Sequence, residues 1–252
     1  MRIVNFLPKV ITNKLFGERE KYGSIPFPDD KDWQEWLTFY YGFYSATQKK
    51  GISSVVNHSG YRILSKISLE NKKVLEIGPG DLPHQKFWVG KPSKYFLCDI
   101  REEFLRQSQQ KLRDYQVETE TCLVNSPSFP IPDSEVDFVI AFYVLEHLAP
   151  FEEYLSEILR ILKPGGLLIA GIPTEGGLLW GLGRYFSSRR YIKAHSNLNP
   201  DKIICWEHPN MAHTILERLE SRMGIRYKRY WPFILPIIDL NLIIRFIYQK
   251  HS

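Results

Sequence analysis

The 252-residue sequence predicts an α/β chain with a doubly wound, mostly parallel sheet, and three observations predict it. Val74, Leu75 and Ile77 form a short apolar segment that opens into a Gly-Pro-Gly turn at residues 78–80, as a buried strand opens into a ligand loop. Nineteen residues after Gly80, the apolar run Tyr95 to Cys98 ends in Asp99, where doubly wound sheets place an acid for ribose hydroxyls. Two further apolar segments, Val136 to Ala141 and Leu167 to Ile172, bracket a helical face of Leu148, Phe151, Leu155, Ile158, Leu159 and Leu162 that Lys163-Pro164-Gly165-Gly166 stops. Strands that alternate with helices of this length need parallel crossovers.

The loop itself is Lys72 to His84, KKVLEIGPGDLPH. Gly78 and Gly80 allow a tight turn and a close backbone approach to a ligand. Glu76 stands beside that turn. A carboxylate there repels a pyrophosphate and favours a ligand carrying an ammonium group, as S-adenosylmethionine does. With Asp99, the run EVDFVIAFYVLEHL and the run KPGGLLIAGIP, the loop completes four motifs in order. Over roughly Lys72 to Pro173 the chain resembles class I S-adenosylmethionine-dependent methyltransferases, closest to their small-molecule branch. The resemblance implies a Rossmann-like seven-stranded sheet of order 3-2-1-4-5-7-6, strand 7 antiparallel, under an N-terminal helical cap. One departure is Leu82, where the family's loop usually carries a third glycine, so a slightly different turn is expected.

Composition agrees. A chain with 44% hydrophobic residues buries a full α/β core. The formal charge of +5 is scattered rather than blocked, which gives little sign of an anionic partner. Cys98, Cys122 and Cys205 have no metal-ligand spacing and read as reduced thiols of a cytoplasmic protein, with no metal expected.

In chain order, residues 1–71 form an N-terminal extension and helical cap, and residues 72–252 form the core, with 174–210 a substrate-side insertion. Residues 1–17 are apolar and basic, and Pro8 argues against a cleaved signal. Packing of this arm on the domain is favoured over a membrane surface. Asp29 and Asp30 are candidate caps for a helix from Asp32 to Tyr44, whose Trp33, Trp36, Leu37, Tyr40, Tyr41 and Tyr44 recur at helical spacing. That stripe reads as core, with Tyr40 and Tyr44 able to line a lid. A second helix is expected from Ser54 to about Ile67. After Asp99 come a helix from Arg101 to Tyr115 and a third strand from Thr119 to Val124. Glu146 and His147 are read as opening the helix after strand four. From Thr174 to Asn210 no long element is evident, and the segment reads as a mobile loop over the acceptor. Met211 to Met223 looks helical, and Ile225 to Leu235 with Asn241 to Tyr248 reads as a closing hairpin.

The resemblance assigns cofactor contacts to Glu76, Gly78, Gly80, Asp99, Ile100, Asn125, Ser126 and Phe142. Asn125 replaces the family's usual adenine-binding acid with a neutral acceptor. Tyr143, Glu175, Trp180 and Arg184 are expected on the substrate side, facing a sugar-like or anionic acceptor. Methyl transfer from a sulfonium needs mainly in-line positioning, so a base is optional. His147 and His208 are its candidates, with Glu146, Tyr143 and Glu207 the other titratable groups near that edge. Base-amine chemistry is disfavoured because AFYVLEHL replaces an Asn/Asp-Pro-Pro-aromatic segment, so a small-molecule acceptor is expected rather than a nucleic acid. The alternatives are a cofactor-binding regulatory protein without turnover and a membrane-associated lipid or quinone methyltransferase.

Overall fold

The computed structural model describes residues 2–47 and 51–251. Seven strands, β1 (Lys73–Ile77), β2 (Lys94–Asp99), β3 (Glu118–Leu123), β4 (Val136–Phe142), β5 (Leu162–Pro173), β6 (Met223–Trp231) and β7 (Ile243–Lys250), form one sheet. Its order is β3-β2-β1-β4-β5-β7-β6, as expected. The first five strands are parallel, and β7 runs antiparallel to both β5 and β6.

Ten helices were assigned among the described residues: α1 (Lys9–Phe16), α2 (Arg19–Tyr22), α3 (Lys31–Thr47), α4 (Gly51–Tyr61), α5 (Glu102–Asp114), α6 (Phe151–Ile161), α7 (Leu178–Phe186), α8 (Ser188–His195), α9 (Pro200–Glu207) and α10 (Ala212–Arg222). Strand alternation sends Leu75 and Ile77 into one core with α6 and α10, and Val74 into a second core with Tyr61, Leu64, Leu105 and Leu112. Both faces of the central strands are therefore covered, which is why β1, β2 and β4 are buried almost throughout, while the edge strands β3 and β6 carry exposed polar residues.

Several local expectations change. The helix expected to open at Glu146 begins at Phe151, and residues 145–147 are a turn closed by His147 N–H donating to the Val144 carbonyl at 2.9 Å. Apolar spacing counted Leu148 into the helix, but Pro150 has no N–H and sets the start one residue later. The helix expected through Ile67 ends at Tyr61 and continues as a 3-10 turn, Arg62–Lys66. The largest difference is the segment 174–210, which is not a loop but carries α7, α8 and α9. Gly181 and Gly183 hid α7 from propensity, and α8 and α9 are only eight residues each. Gly181 is where α7 touches the arm, and a Cβ there would lie 2.7 Å from the Phe16 ring.

The arm packs on the domain: Val4, Leu15 and Phe16 are buried with Leu178, Tyr185 and Met211. The cap is held by the insertion, because Trp36 and Phe43 of α3 bury against Ile192, Leu198 and Ile203 of the α8–α9 region. Asp30 caps α3, its Oδ1 accepting from Asp32 N–H at 2.9 Å. The side chain of Tyr41, counted in the aromatic stripe, lies outside the described residues.

Candidate functional site: the carboxyl edge of the sheet

The loop after β1 keeps both glycines left-handed, with φ of +66° at Gly78 and +56° at Gly80. Leu82 takes the third place with φ of 51°, which costs a non-glycine residue about 1 kcal/mol, and its side chain offsets this by full burial. Ser108 of α5 donates to the Gly80 carbonyl at 2.7 Å, fixing the loop from below.

Glu76, expected to reach toward a cofactor ammonium, is only 1% exposed and committed within the protein. Its Oε1 lies 2.6 Å from His84 Nε2 and its Oε2 accepts from the Tyr95 hydroxyl at 2.6 Å. The Trp88 indole donates to His84 Nδ1 at 3.2 Å, so that ring is a neutral imidazole with its hydrogen on Nε2. The carboxyl group thus shapes the loop from within the fold. Strand alternation explains the difference: Glu76 shares the face of Val74, whose neighbour across the ladder is Tyr95.

Asp99 ends β2 with its Oδ1 accepting from Arg101 N–H at 2.9 Å. Burial pushes its carboxyl up to about 6. Above it sits the cap. Tyr40 lies under the Arg101 guanidinium, 4.4 Å from ring centroid to Cζ, and a Cβ on Gly80 would lie 3.2 Å from the Tyr44 hydroxyl. Burial raises both phenols well above their usual range, so both remain proton donors. Ile100, Asn125 and Ser126 are exposed at the same edge, while Phe142 is buried against the rings of Tyr61 and His84.

The acceptor side is more altered. Tyr143 does not face a substrate: with φ of 56° it turns its phenol to donate to the Asn57 carbonyl at 2.8 Å, docking α4 on the sheet. Glu175 and Arg184 are buried together, with Nη1 to Oε2 at 2.6 Å and Nη2 to Oε1 at 2.8 Å, and Trp180 donates to the same carboxylate at 2.9 Å. Arg184 is therefore committed to Glu175 and to the Leu15 carbonyl at 3.0 Å rather than to an anionic acceptor. Burial alone would raise Glu175, but Arg184 and then His208 outweigh it and hold the carboxyl well below its usual range.

His147 and His208, far apart in sequence, are brought together with ring centroids 4.7 Å apart. His147 Nδ1 donates to the Glu207 backbone carbonyl, which fixes the tautomer and leaves Nε2 with a lone pair. That Nε2 lies 3.9 Å from Oε1 of Glu146, which is 2% exposed and whose Oε2 has no hydrogen-bond partner. Burial pushes Glu146 up to about 7. His208 Nδ1 lies 3.0 Å from Glu175 Oε2; burial lowers its pKa against the pull of Glu175. Periodicity missed this cluster because its members come from the turn after β4, the end of β5 and the end of α9. Only the density of titratable residues in YVLEHL and WEHPN hinted at it.

Among the described residues, no group of three or more His, Cys, Asp or Glu side chains is placed to hold a metal ion. Residues 75–170 match the family Methyltransf_11, a methyltransferase domain. The chain is 30% identical over 165 residues to the ubiquinone/menaquinone biosynthesis C-methyltransferase UbiE of Yersinia enterocolitica, a match covering 54% of this chain and 65% of that protein, and so less than two thirds of its length. Among solved structures it is similar to a SAM-dependent methyltransferase from Aquifex aeolicus, with TM-score 0.55, 16% identity, and 83% of this chain and 97% of that one covered. It is similar also to the N-methyltransferase NodS from Bradyrhizobium japonicum, with TM-score 0.56, 13% identity, and 78% and 97% covered. The strand order and the matched segment, with its glycine loop and the acid ending β2, agree with one another: residues 75–170 match a methyltransferase domain, and the sheet around them has the strand order that the resemblance to class I S-adenosylmethionine-dependent methyltransferases implies.

Proposed function

We propose that the protein transfers the methyl group of S-adenosylmethionine to a small acceptor whose phenolic or enolic hydroxyl is deprotonated at the His147–His208 pair. The cofactor, when bound, supplies a methyl group already activated by its sulfonium. The chain's residues fit it. The left-handed backbone at Gly78 and Gly80 leaves room where side chains would intrude, and Asp99 has one strong backbone donor on a carboxylate with four lone-pair sites, leaving capacity for ribose hydroxyls. Ile100, Asn125 and Ser126 stand at the edge for an adenine, and Tyr40 and Tyr44 cover it from the cap.

The observation that carries the acceptor assignment is the imidazole tautomer. In its neutral form His147 presents a lone pair at Nε2, and Oε1 of Glu146 lies 3.9 Å from that same nitrogen, where a carboxylate stabilises the imidazolium once a proton arrives. His147 Nε2 would take the acceptor's proton, leaving the acceptor's electron pair free for the methyl group that the bound cofactor would supply, with S-adenosylhomocysteine as the other product. With Arg184 committed to Glu175, charge pairing to an anionic acceptor is not what this edge offers. The 30% identity to a quinone C-methyltransferase supports an aromatic hydroxyl acceptor. A screen of phenols and hydroquinones for S-adenosylhomocysteine formation tests this reading. Turnover of such acceptors that falls about 10²- to 10⁴-fold in His147→Gln, with cofactor affinity held within twofold, is expected. Undiminished turnover in that variant removes His147 from the chemistry.

A further inference from the structure

We infer that the tip of the β6–β7 hairpin, with the outer face of the N-terminal arm, is a docking surface for an anionic lipid bilayer. Every residue from Pro232 to Pro236 is exposed, including Phe233 at 54%, Ile234 at 67% and Leu235 at 57%, and no charged side chain occurs between Trp231 and Ile238. The tip is held open by its own base. The buried Asn241 donates through Nδ2 to the carbonyls of Leu235 at 3.0 Å and Ile237 at 2.8 Å, and Leu242 N–H closes the neck on the Trp231 carbonyl at 2.7 Å. Three large apolar side chains are thus presented to solvent by a satisfied backbone.

The arm joins the tip at one residue. Buried Asp239, three residues beyond Pro236, accepts from the Ile3 N–H and, at 3.1 Å, from the first N–H of α7. From there the arm carries Phe6 and Val10, both exposed by about two thirds, while Val4, Leu15 and Phe16 face inward. The arm therefore has two apolar faces and the domain uses only one.

The size and chemistry of the patch select the occupant. The three tip side chains expose roughly 400 Å², about half of what one partner contributes to a stable protein interface, but of the size that marks a functional patch. They include no hydrogen-bonding side chain that would specify a protein partner. Insertion into the headgroup and acyl boundary needs only apolar side chains, with cations at the rim. Lys14 on α1 and Arg229, four residues before Phe233, are exposed, and Lys9 is exposed but paired to Glu20 at 2.7 Å.

The experiment is sedimentation of the full chain with vesicles of phosphatidylcholine alone and of phosphatidylcholine with 30% phosphatidylglycerol. Binding to the anionic vesicles is expected to exceed binding to the neutral ones. It should fall at least tenfold in the triple variant Phe233→Ser, Ile234→Ser, Leu235→Ser, whose substitutions are all at exposed positions. Analytical ultracentrifugation without lipid covers the other occupant. No sedimentation with either vesicle, equal binding by a folded triple variant, or a dimer that the triple variant abolishes would each overturn the inference. These outcomes are independent of methyl transfer.

Discussion

Asp99 and Glu146 are carboxyls that the fold keeps out of water, and each carries a conformational cost when ionised. Folded Asp99 holds its proton up to about 6 against an ordinary 3.8. The folded state therefore binds the extra proton between those values, and stability declines as pH rises through them, by about 3 kcal/mol at most. For Glu146 the window runs from 4.5 to about 7, with a loss of similar size. Asp99→Asn should accordingly be more stable than the wild type at pH 8 and equal to it below pH 4, while binding S-adenosylmethionine about 10- to 100-fold more weakly. Urea unfolding at the two pH values and calorimetry measure both halves, and a variant that gains stability without losing affinity would leave Asp99 outside the cofactor site. Glu175 has the opposite sign: its depressed carboxyl contributes stability above about 4.5 that is lost as pH falls below that value. Arg184→Met leaves it buried without its bidentate partner and should cost about 3–5 kcal/mol, most of which Glu175→Gln in the same chain should recover.

The cap and the insertion form one unit at the scale of elements. Because α3 buries Trp36 and Phe43 against Ile192, Leu198 and Ile203, the segment 174–210 cannot be exchanged for a short linker without uncovering the cap. A division in which this segment serves only the acceptor is therefore replaced by one in which it also positions Tyr40 and Tyr44 over the cofactor loop. Ile203→Ala should cost about 2–5 kcal/mol by leaving a cavity, and should weaken cofactor affinity although Ile203 is far in sequence from the loop. Limited proteolysis should cut first within residues 31–61. An unchanged affinity in a variant with a loosened cap would show that α3 is packing alone.

Across the whole molecule, the N-terminal arm ties together elements that are otherwise distant. Arg2 donates to the Gly176 carbonyl and Arg19 to the His208 carbonyl, both at the edge where the acceptor residues sit. Leu15 and Phe16 cover α7, and Cys205 is sealed beneath Gly17, where a Cβ would lie 2.5 Å from its sulfur. Burial raises Cys205 to about 11. In the intact chain Cys205 should be inert to thiol reagents at pH 8, and removal of residues 1–23 should expose it and raise its labelling rate by at least tenfold. Mass spectrometry of the labelled site is the readout. Unchanged protection would mean that the arm does not cover this side of the domain.

The sheet was legible because its information is local. Of the parallel strands, β1, β2 and β4 are short apolar runs, with Gly78 after β1 and Asp99 at the end of β2, and burial on both faces makes such runs nearly continuous. The terminal hairpin was readable as well, although β6 begins two residues and ends four residues earlier than expected and β7 lies two residues later. The carboxyl edge was legible as a place, with His147 and His208 assigned to it before their rings were known to meet. The contacts that define the site are a different matter. Glu76 is bound by His84 and Tyr95, Arg184 by Glu175, and His147 by the backbone of Glu207, and no spacing in the sequence distinguishes a carboxylate facing a ligand from one facing its own fold. Helix α7 was hidden because Gly181 serves a contact with Phe16 of the arm, and a contact partner more than 160 residues away leaves no local signature, while α8 and α9 are only eight residues each. Local sequence set the strands and the glycine loop through hydrophobic pattern and backbone stereochemistry, and the strand order followed from the resemblance those motifs carry. Which buried charges pair, and so which remain for chemistry, was decided by tertiary packing, because desolvation makes each buried polar group depend on whatever partner the fold brings to it.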